Sequence, residues 1–192
     1  MAFYSALRSA GVAQELSDPL IEVLMDMVGP KPEAARRLDL LELYYAAGSD
    51  IDASRRRSKT DRMLVHHTGL RENAHAVVVR MALANPELLG VRLERFGGDD
   101  GPLVLRAGEH VSAVNEDDGD EGEPGSLAVR NLVQAFNVLL ERAEVGSRLV
   151  LLPGDGQREM YVGVGREQAL ALCGAGMLDE DEPERVLEFC SF

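Results

Sequence analysis

The sequence predicts an α+β fold, in which an all-helical N-terminal region is followed by a domain built on an antiparallel sheet. Through the first 90 residues, apolar side chains recur at the three- and four-residue spacing of helices. After Gly90 the pattern changes to short segments in which apolar and charged residues alternate, separated by glycine-rich turns. One strongly amphipathic stretch, Ser126 to Glu144, lies among these segments and predicts a helix that covers the sheet.

Five helices are predicted in the first half, over residues 2–8, 19–28, 32–47, about 61–67 and 68–85. Ser17-Asp18-Pro19 is typical of a helix start, because serine can cap the free amides of the first turn and proline fits the first helical position. Gly29-Pro30 ends that helix. Thr68, with Glu72 near the position that a capping box requires, predicts the start of the fifth helix.

The second half predicts strands at 91–96, 103–106, 109–114, 148–152 and 159–164, and helices at 126–144 and 166–177. In the helix at 126–144, apolar residues form one continuous stripe: Val129, Leu132, Val133, Phe136, Leu139, Leu140 and Ala143. Asp155-Gly156 predicts the tight turn of a hairpin between the last two strands. With the helix from residue 68 in front, the element order is α-β-β-β-α-β-β-α.

Two regions follow from this order, a helical region over residues 1–67 and an α+β domain over 68–192. The boundary can fall anywhere from 48 to 90, and the two regions can also pack as one unit. The element order of the second region and its acidic charge resemble those of bacterial type III secretion chaperones, which are small, acidic, dimeric binding proteins. That resemblance implies a homodimer that binds protein partners.

The net charge of -13 is concentrated in the second half. Residues 1–89 hold 12 acidic and 11 basic side chains, for a net of -1, whereas residues 90–192 hold 21 and 9, for a net of -12. Such a field repels nucleic acids and membrane surfaces and favours a basic protein partner. With no secretory signal and no apolar run of membrane length, we expect a cytoplasmic protein. The predominance of arginine over lysine indicates a bacterial genome rich in G and C.

The one basic cluster in the sequence comprises Arg55, Arg56, Arg57, Lys59 and Arg62. At the start of a helix these side chains could contact phosphates of a nucleic acid. They could equally bind the acidic half of a second copy or another protein, or form a solvated loop. We take this cluster as the candidate partner-binding site.

Other motifs point only weakly to chemistry, and we predict neither a metal site nor any cofactor. His66, His67 and His75 are weak metal candidates, because their spacing does not place them on one helix face. Gly163-Val164-Gly165 lacks the third glycine of a dinucleotide fingerprint, since position 168 is glutamine. The acidic stretch 115–123 does not match the ligand spacing of a calcium loop.

Our leading hypothesis is a non-enzymatic cytoplasmic protein-interaction module, adaptor or chaperone-like, that binds a protein partner through its sheet and helix surface. An acidic rim would select a basic partner, and a homo-oligomer, most simply a homodimer, is expected. The alternative is a nucleic-acid-binding regulator that uses the basic segment 55–62, which the net charge disfavours. A further alternative is an enzyme with a site assembled from distant residues, whose sign would be a cavity with convergent titratable groups.

Overall fold

A computed structural model describes residues 2–47, 63–67, 73–85, 87–88, 90–98, 100–116, 128–180 and 182–190, with the side chains of 45–47 and 65–67 outside the description. Within these ranges the helices are α1 Ala2–Ser9, α2 Asp18–Val28, α3 Glu33–Ala47, α4 Ala74–Ala84, α5 Val129–Arg142, α6 Arg166–Gly174 and α7 Glu182–Cys190. The strands are β1 Met63–His67, β2 Arg92–Arg95, β3 Leu103–Ala107, β4 His110–Ala113, β5 Ser147–Leu152 and β6 Arg158–Gly165. No helix in these ranges combines the length and apolar content needed to cross a bilayer. The predicted α+β class is confirmed, and the predicted order α-β-β-β-α-β-β-α matches α4 to α6, with α7 following as an additional helix.

The described strands form two antiparallel sheets of three strands each. The first sheet has the order β1-β6-β5, so β6 is its central strand, and the second has the order β2-β3-β4. The β5–β6 connection forms the predicted hairpin, whose turn Gly156 closes with a φ of +81°. There the Asp155 carboxylate accepts hydrogen bonds from the backbone N–H groups of Gln157 and Arg158, at 3.0 and 2.9 Å.

The first sheet separates two hydrophobic cores, because successive side chains of its strands point to opposite faces. On β6, Met160, Val162 and Val164 enter one core, whereas Tyr161 enters the other. The residues of β5 divide in the same way, with Val150 and Leu152 in the first core. The sheet is therefore buried on both sides, as its nearly continuous apolar strands require.

The first core joins the N-terminal helices to the sheet and to the C-terminal helices. Its buried members are Phe3, Tyr4, Leu7, Ala10, Ala13, Leu16, Ile21, Leu24, Leu38, Leu40, Leu41 and Tyr44 from the N-terminal part, and Val150, Leu152, Met160, Val162, Val164, Ala169, Leu172, Met177, Leu178 and Val186 from the rest. Helices α1 to α3 thus cover the sheet face directly. The division of the chain at residues 67 and 68 stays a prediction.

The second core lies between the other face of the first sheet and the second sheet, and α5 is its centre. The stripe predicted on α5 is buried as expected, with Phe136, Leu139 and Leu140 fully enclosed. Helix α4 contributes Val77, Val78, Met81 and Ala84 to the same core. Helix α5 therefore packs against both sheets.

The helix predicted over residues 61–67 is wrong, because residues 63–67 form strand β1 and pair antiparallel with β6. Leu64 lies opposite Tyr161 and is fully buried in the second core. A short apolar run fits a strand as well as a helix, and pairing with a strand far along the chain decides between them. Helix α4 begins after Asn73, whose side chain accepts hydrogen bonds from His75 N–H and Ala76 N–H. The predicted capping residues Thr68 and Glu72, and Ser126 at the predicted start of α5, lie outside the described residues.

Arg158, at the start of β6, fastens the hairpin to α3. Its guanidinium donates to the Asp155 carboxylate at 2.7 Å, to Glu42 at 2.9 Å and to the Ala35 carbonyl at 3.1 Å, and it also pairs with Asp39. The Arg158 side chain is only 10% exposed. Burial on its own would raise the pKa of the Asp39 and Asp155 carboxyls. The hydrogen bonds that Arg158 donates to both, with further donors to each, instead hold both pKa values below the usual range.

Replacing Arg158 with methionine should lower the free energy of unfolding by about 3 kcal/mol at neutral pH, because it leaves buried carboxylates without their partner. A carboxyl with a lowered pKa stabilises the fold above its unfolded pKa, and that contribution is lost as the pH falls through the folded pKa. The loss in Arg158→Met should therefore shrink below about pH 4. Urea titrations across pH measure both effects.

The matched control is Arg92→Met on β2, where the arginine is exposed and the change should stay within about 0.5 kcal/mol. A loss in Arg158→Met that is no larger than in Arg92→Met, or that does not vary with pH, would contradict this role of Arg158.

Gly163 allows β6 to approach the end of α4 closely. A Cβ atom at this position would lie 2.5 Å from the Ala84 carbonyl oxygen, well inside van der Waals contact. Beside it the buried Asn85 side chain donates to the Met81 carbonyl at 3.3 Å and accepts from the Ser147 hydroxyl at 3.1 Å. This contact explains one glycine of Gly163-Val164-Gly165 by packing.

Gly163→Ala should therefore destabilise the protein by about 1–3 kcal/mol, because backbone has to move to admit the methyl group. Gly146→Ala is the control, since a Cβ there meets nothing within 4 Å and should change the free energy of unfolding by less than about 1 kcal/mol. Thermal unfolding of the two variants makes the comparison. Equal unfolding temperatures would show that the close approach to the Ala84 carbonyl does not require glycine at position 163.

Candidate functional site

A large groove lies between α5 and α7, with β5 as its floor. Its volume is about 500 Å³, which is within the range of ligand sites. The lining residues are Arg130, Val133, Gln134, Asn137, Val138, Glu141, Arg148, Leu149, Val150, Leu151, Tyr161, Arg166, Asp179, Glu182, Arg185, Val186, Glu188 and Phe189. We call this feature the α5–α7 groove.

One wall of the α5–α7 groove is the outward face of α5. Arg130, Gln134, Val138 and Glu141 recur at three- and four-residue spacing, so they lie in one row along the helix. The opposite, apolar face of α5 is held in the second core, which fixes this row toward the groove. Val138 is the one apolar residue in this row, and 39% of its surface is exposed.

The floor is the outer edge of β5, whose backbone groups are already bonded by side chains and by a loop. Asn137 accepts from Leu149 N–H at 2.9 Å and donates to the Leu149 carbonyl at 2.8 Å. Asp179 N–H donates to the Leu151 carbonyl at 3.0 Å. Because β5 is an edge strand, these bonds take the place of a neighbouring strand.

Toward the start of α5, Arg130 lines the groove and forms an ion pair with Glu159 on β6. Its Nε donates to the Glu159 carboxylate, whose other oxygen accepts from the Tyr161 hydroxyl at 2.8 Å. The hydrogen bond that Arg130 donates to Glu159 raises the pKa of Arg130. Burial, reinforced by the Glu159 charge, raises the pKa of Tyr161, so the phenol keeps its proton and acts as a donor.

Near the other end of α5, two arginines contact one aromatic ring. The Arg148 guanidinium lies 4.5 Å from the centre of the Phe189 ring, and that of Arg166 lies 5.4 Å from it. Arg148 also donates to the Val145 carbonyl at 3.2 Å and the Ser147 carbonyl at 3.0 Å. We call the group of Arg148, Arg166 and Phe189 the arginine clamp.

Titratable groups do converge in the groove, but they are bonded to one another and to the backbone. Burial raises the pKa of Glu182, which is 7% exposed, while Arg185 pairs with it at 3.3 Å. Glu159 is held by Arg130 and Tyr161. These bonds fix the walls and floor, and the arrangement supports binding more directly than proton transfer.

A smaller cavity of about 210 Å³ lies between the end of α4 and the end of β6 and includes Gly163 and Gly165. Gly165 N–H donates to the Gln168 side chain at 3.1 Å, and Gln168 in turn donates to the Gly11 carbonyl at 2.8 Å. The amide that a phosphate would need is thus bonded within the protein. These glycines serve the packing of β6 and the start of α6.

The residues predicted for partner binding, Arg55, Arg56, Arg57, Lys59 and Arg62, lie outside the described residues, so that assignment stays a prediction. Of the weak metal candidates, His66 and His67 are in β1, opposite Glu159 and Arg158. His75 is exposed in the first turn of α4. No group of three or more potential metal ligands occurs within the described part of the chain.

No family model, curated protein or solved structure matches this chain. The likeness to type III secretion chaperones therefore remains one of element order and charge. The α5–α7 groove has to be interpreted from its own geometry.

The groove floor depends on the Asn137 side chain in a way that an isosteric change can test. Asn137→Asp should lower the free energy of unfolding by about 1–3 kcal/mol, because a carboxylate cannot donate to the Leu149 carbonyl and repels it. Gln134→Glu makes the same chemical change one turn earlier on α5, where the side chain is exposed. It should cost less than about 0.5 kcal/mol. Urea denaturation compares the two, and equal losses would mean that Asn137 does not secure the β5 edge.

Proposed function

We propose that the protein is a non-enzymatic protein-interaction module, adaptor or chaperone-like, that binds a segment of a partner protein in the α5–α7 groove. The supporting observation is the groove itself, about 500 Å³ in volume, with helical walls and an apolar floor. Val138, half-exposed in an otherwise polar row, offers an apolar contact in its wall. A cytoplasmic location and a homodimer are part of the same proposal.

The occupant that suits the groove is an amphipathic helix rather than an added strand. Strand addition requires free N–H and C=O groups on a sheet edge. On the β5 edge, both backbone groups of Leu149 are bonded to Asn137, and the Leu151 carbonyl is bonded to Asp179 N–H. The row from Arg130 to Glu141 extends about 16 Å at the helical rise per residue. That length matches three turns of a helix whose side chains, not its backbone, make the contacts.

Charge acts on this binding at two ranges. The field of the acidic second half favours approach by a basic partner, as the composition predicts. The groove itself differs, because it holds four of the nine basic residues of that half but only four of its 21 acidic ones. The acidic second half can therefore attract a basic protein at long range. The groove can still bind a segment of that protein that is not itself basic.

An enzymatic function is the weaker interpretation of the same groove. Its convergent carboxyls and phenol are the sign that a distant-residue site would give. However, Glu159 binds Arg130 and Tyr161, and Glu182 binds Arg185. Groups used in this way hold the groove in shape, which serves recognition.

The test uses a phage-displayed library of random peptides of about 16 residues, each fused to phage protein at both ends. We expect the full chain to retain some of these peptides, because the groove can hold three helical turns. Val138→Asp should weaken binding of those peptides at least about tenfold, since it places a charge at the apolar contact. Retention and titration of the selected peptides by fluorescence anisotropy provide the measurement.

Val23→Asp on α2 is the matched control, because Val23 is also exposed on a helix and is not part of the groove. It should leave the affinity within about twofold. Failure to enrich any peptide, or equal binding by Val138→Asp, would refute the α5–α7 groove as the interaction site.

A further inference from the structure

The arginine clamp is the part of the α5–α7 groove whose positive charge is not neutralised by a close carboxylate. The nearest acidic partner of Arg148 is Glu141, at 3.6 Å between Nη2 and Oε2, and 66% of the Glu141 side chain is exposed to water. Arg166 forms no ion pair with any acidic residue of the described chain; its guanidinium contacts the Phe189 ring. An exposed partner at that distance screens little of a charge.

Burial makes this excess of charge costly. The Arg148 side chain is 11% exposed, and its removal from water lowers its pKa. Arg166 adds a like charge nearby, which lowers the pKa of Arg148 further, whereas Glu141 offsets it only in part. A second negative group at this point would offset both the cost of desolvation and the repulsion by its attraction to the two guanidiniums.

The other two arginines of the groove do not share this property. Arg130 is bonded to the buried Glu159, and Arg185 is paired with the buried Glu182. Each has an internal carboxylate, so neither requires one from a ligand. Positive charge without a buried carboxylate partner is thus confined to the end of the groove where Arg148 and Arg166 lie.

We propose that the arginine clamp binds the side-chain carboxylate of an aspartate or glutamate in the partner's segment, while apolar residues of the same segment contact Val138. This inference rests on the proposed function and specifies its ligand. Guanidinium groups suit a carboxylate because their paired N–H donors match its two oxygens. The net charge of the whole molecule disfavours acidic ligands, so a preference for one has to come from the clamp.

Two fluorescent probes that differ by one anionic group test the clamp on the full chain. Anilinonaphthalene sulfonate has an apolar aromatic body with a sulfonate, and N-phenylnaphthylamine is the same body without it. The wild-type protein should bind the anionic probe about tenfold more tightly than the neutral one. Arg166→Gln should weaken the anionic probe about five- to tenfold and leave the neutral probe within about twofold.

Arg92→Gln is the control, because it removes one positive charge from an exposed position outside the groove. It should change neither affinity by more than about twofold. Equal binding of the two probes, binding of neither, or an equal effect of Arg92→Gln and Arg166→Gln would overturn the clamp. Circular dichroism of each variant confirms that the probes report on folded protein.

The peptide library identifies the source of the carboxylate, since peptides fused at both ends have no terminal carboxyl. Peptides selected by the wild-type protein should be enriched in aspartate or glutamate at one position relative to the library, and selection by Arg166→Gln should remove that enrichment. Enriched peptides without an acidic preference would overturn the clamp and leave the groove standing. A library that yields no peptides would refute the proposed function, whatever the probes show.

Discussion

The burial of β6 on both faces is the constraint to which the other elements conform. Its residues alternate between two cores, Met160 and Val162 toward one and Tyr161 toward the other. A strand of this kind needs a layer on each side, and α1 to α3 supply one while α5 and the second sheet supply the other. Gly163 extends the same constraint, because only a residue without a side chain lets the strand pass the end of α4.

The α5–α7 groove is a by-product of how the sheet ends. With β6 in the centre, β5 becomes an edge, and two helices rather than a fourth strand lie beside it. Helices cannot continue a ladder of backbone hydrogen bonds, so the Asn137 side chain and the Asp179 N–H bond to the strand instead. These bonds link α5 and the segment before α7 to β5, and the groove lies between the two helices.

The sequence predicted the elements with strong local patterns and missed those that depend on distant partners. The α5 stripe, the β5–β6 hairpin and the three strands of the second sheet all follow from spacing and turn residues within short windows. Strand β1 was mistaken for helix because its identity comes from pairing with β6, almost a hundred residues later. The arginine clamp gave no signal in the sequence, since Arg148, Arg166 and Phe189 belong to three different elements.

The fastening of α3 by Arg158 also has a consequence for synthesis of the chain. Asp39 and Arg158 are 119 residues apart, so a ribosome adding 5–20 residues per second makes them roughly 6 to 24 s apart. During that interval the apolar faces of α1 to α3 have been made, but the sheet that buries them has not. The apolar faces of the N-terminal helices therefore stay exposed until the β5–β6 hairpin has been made. Apolar surface that is exposed in this way during synthesis favours aggregation until β6 is available to cover it.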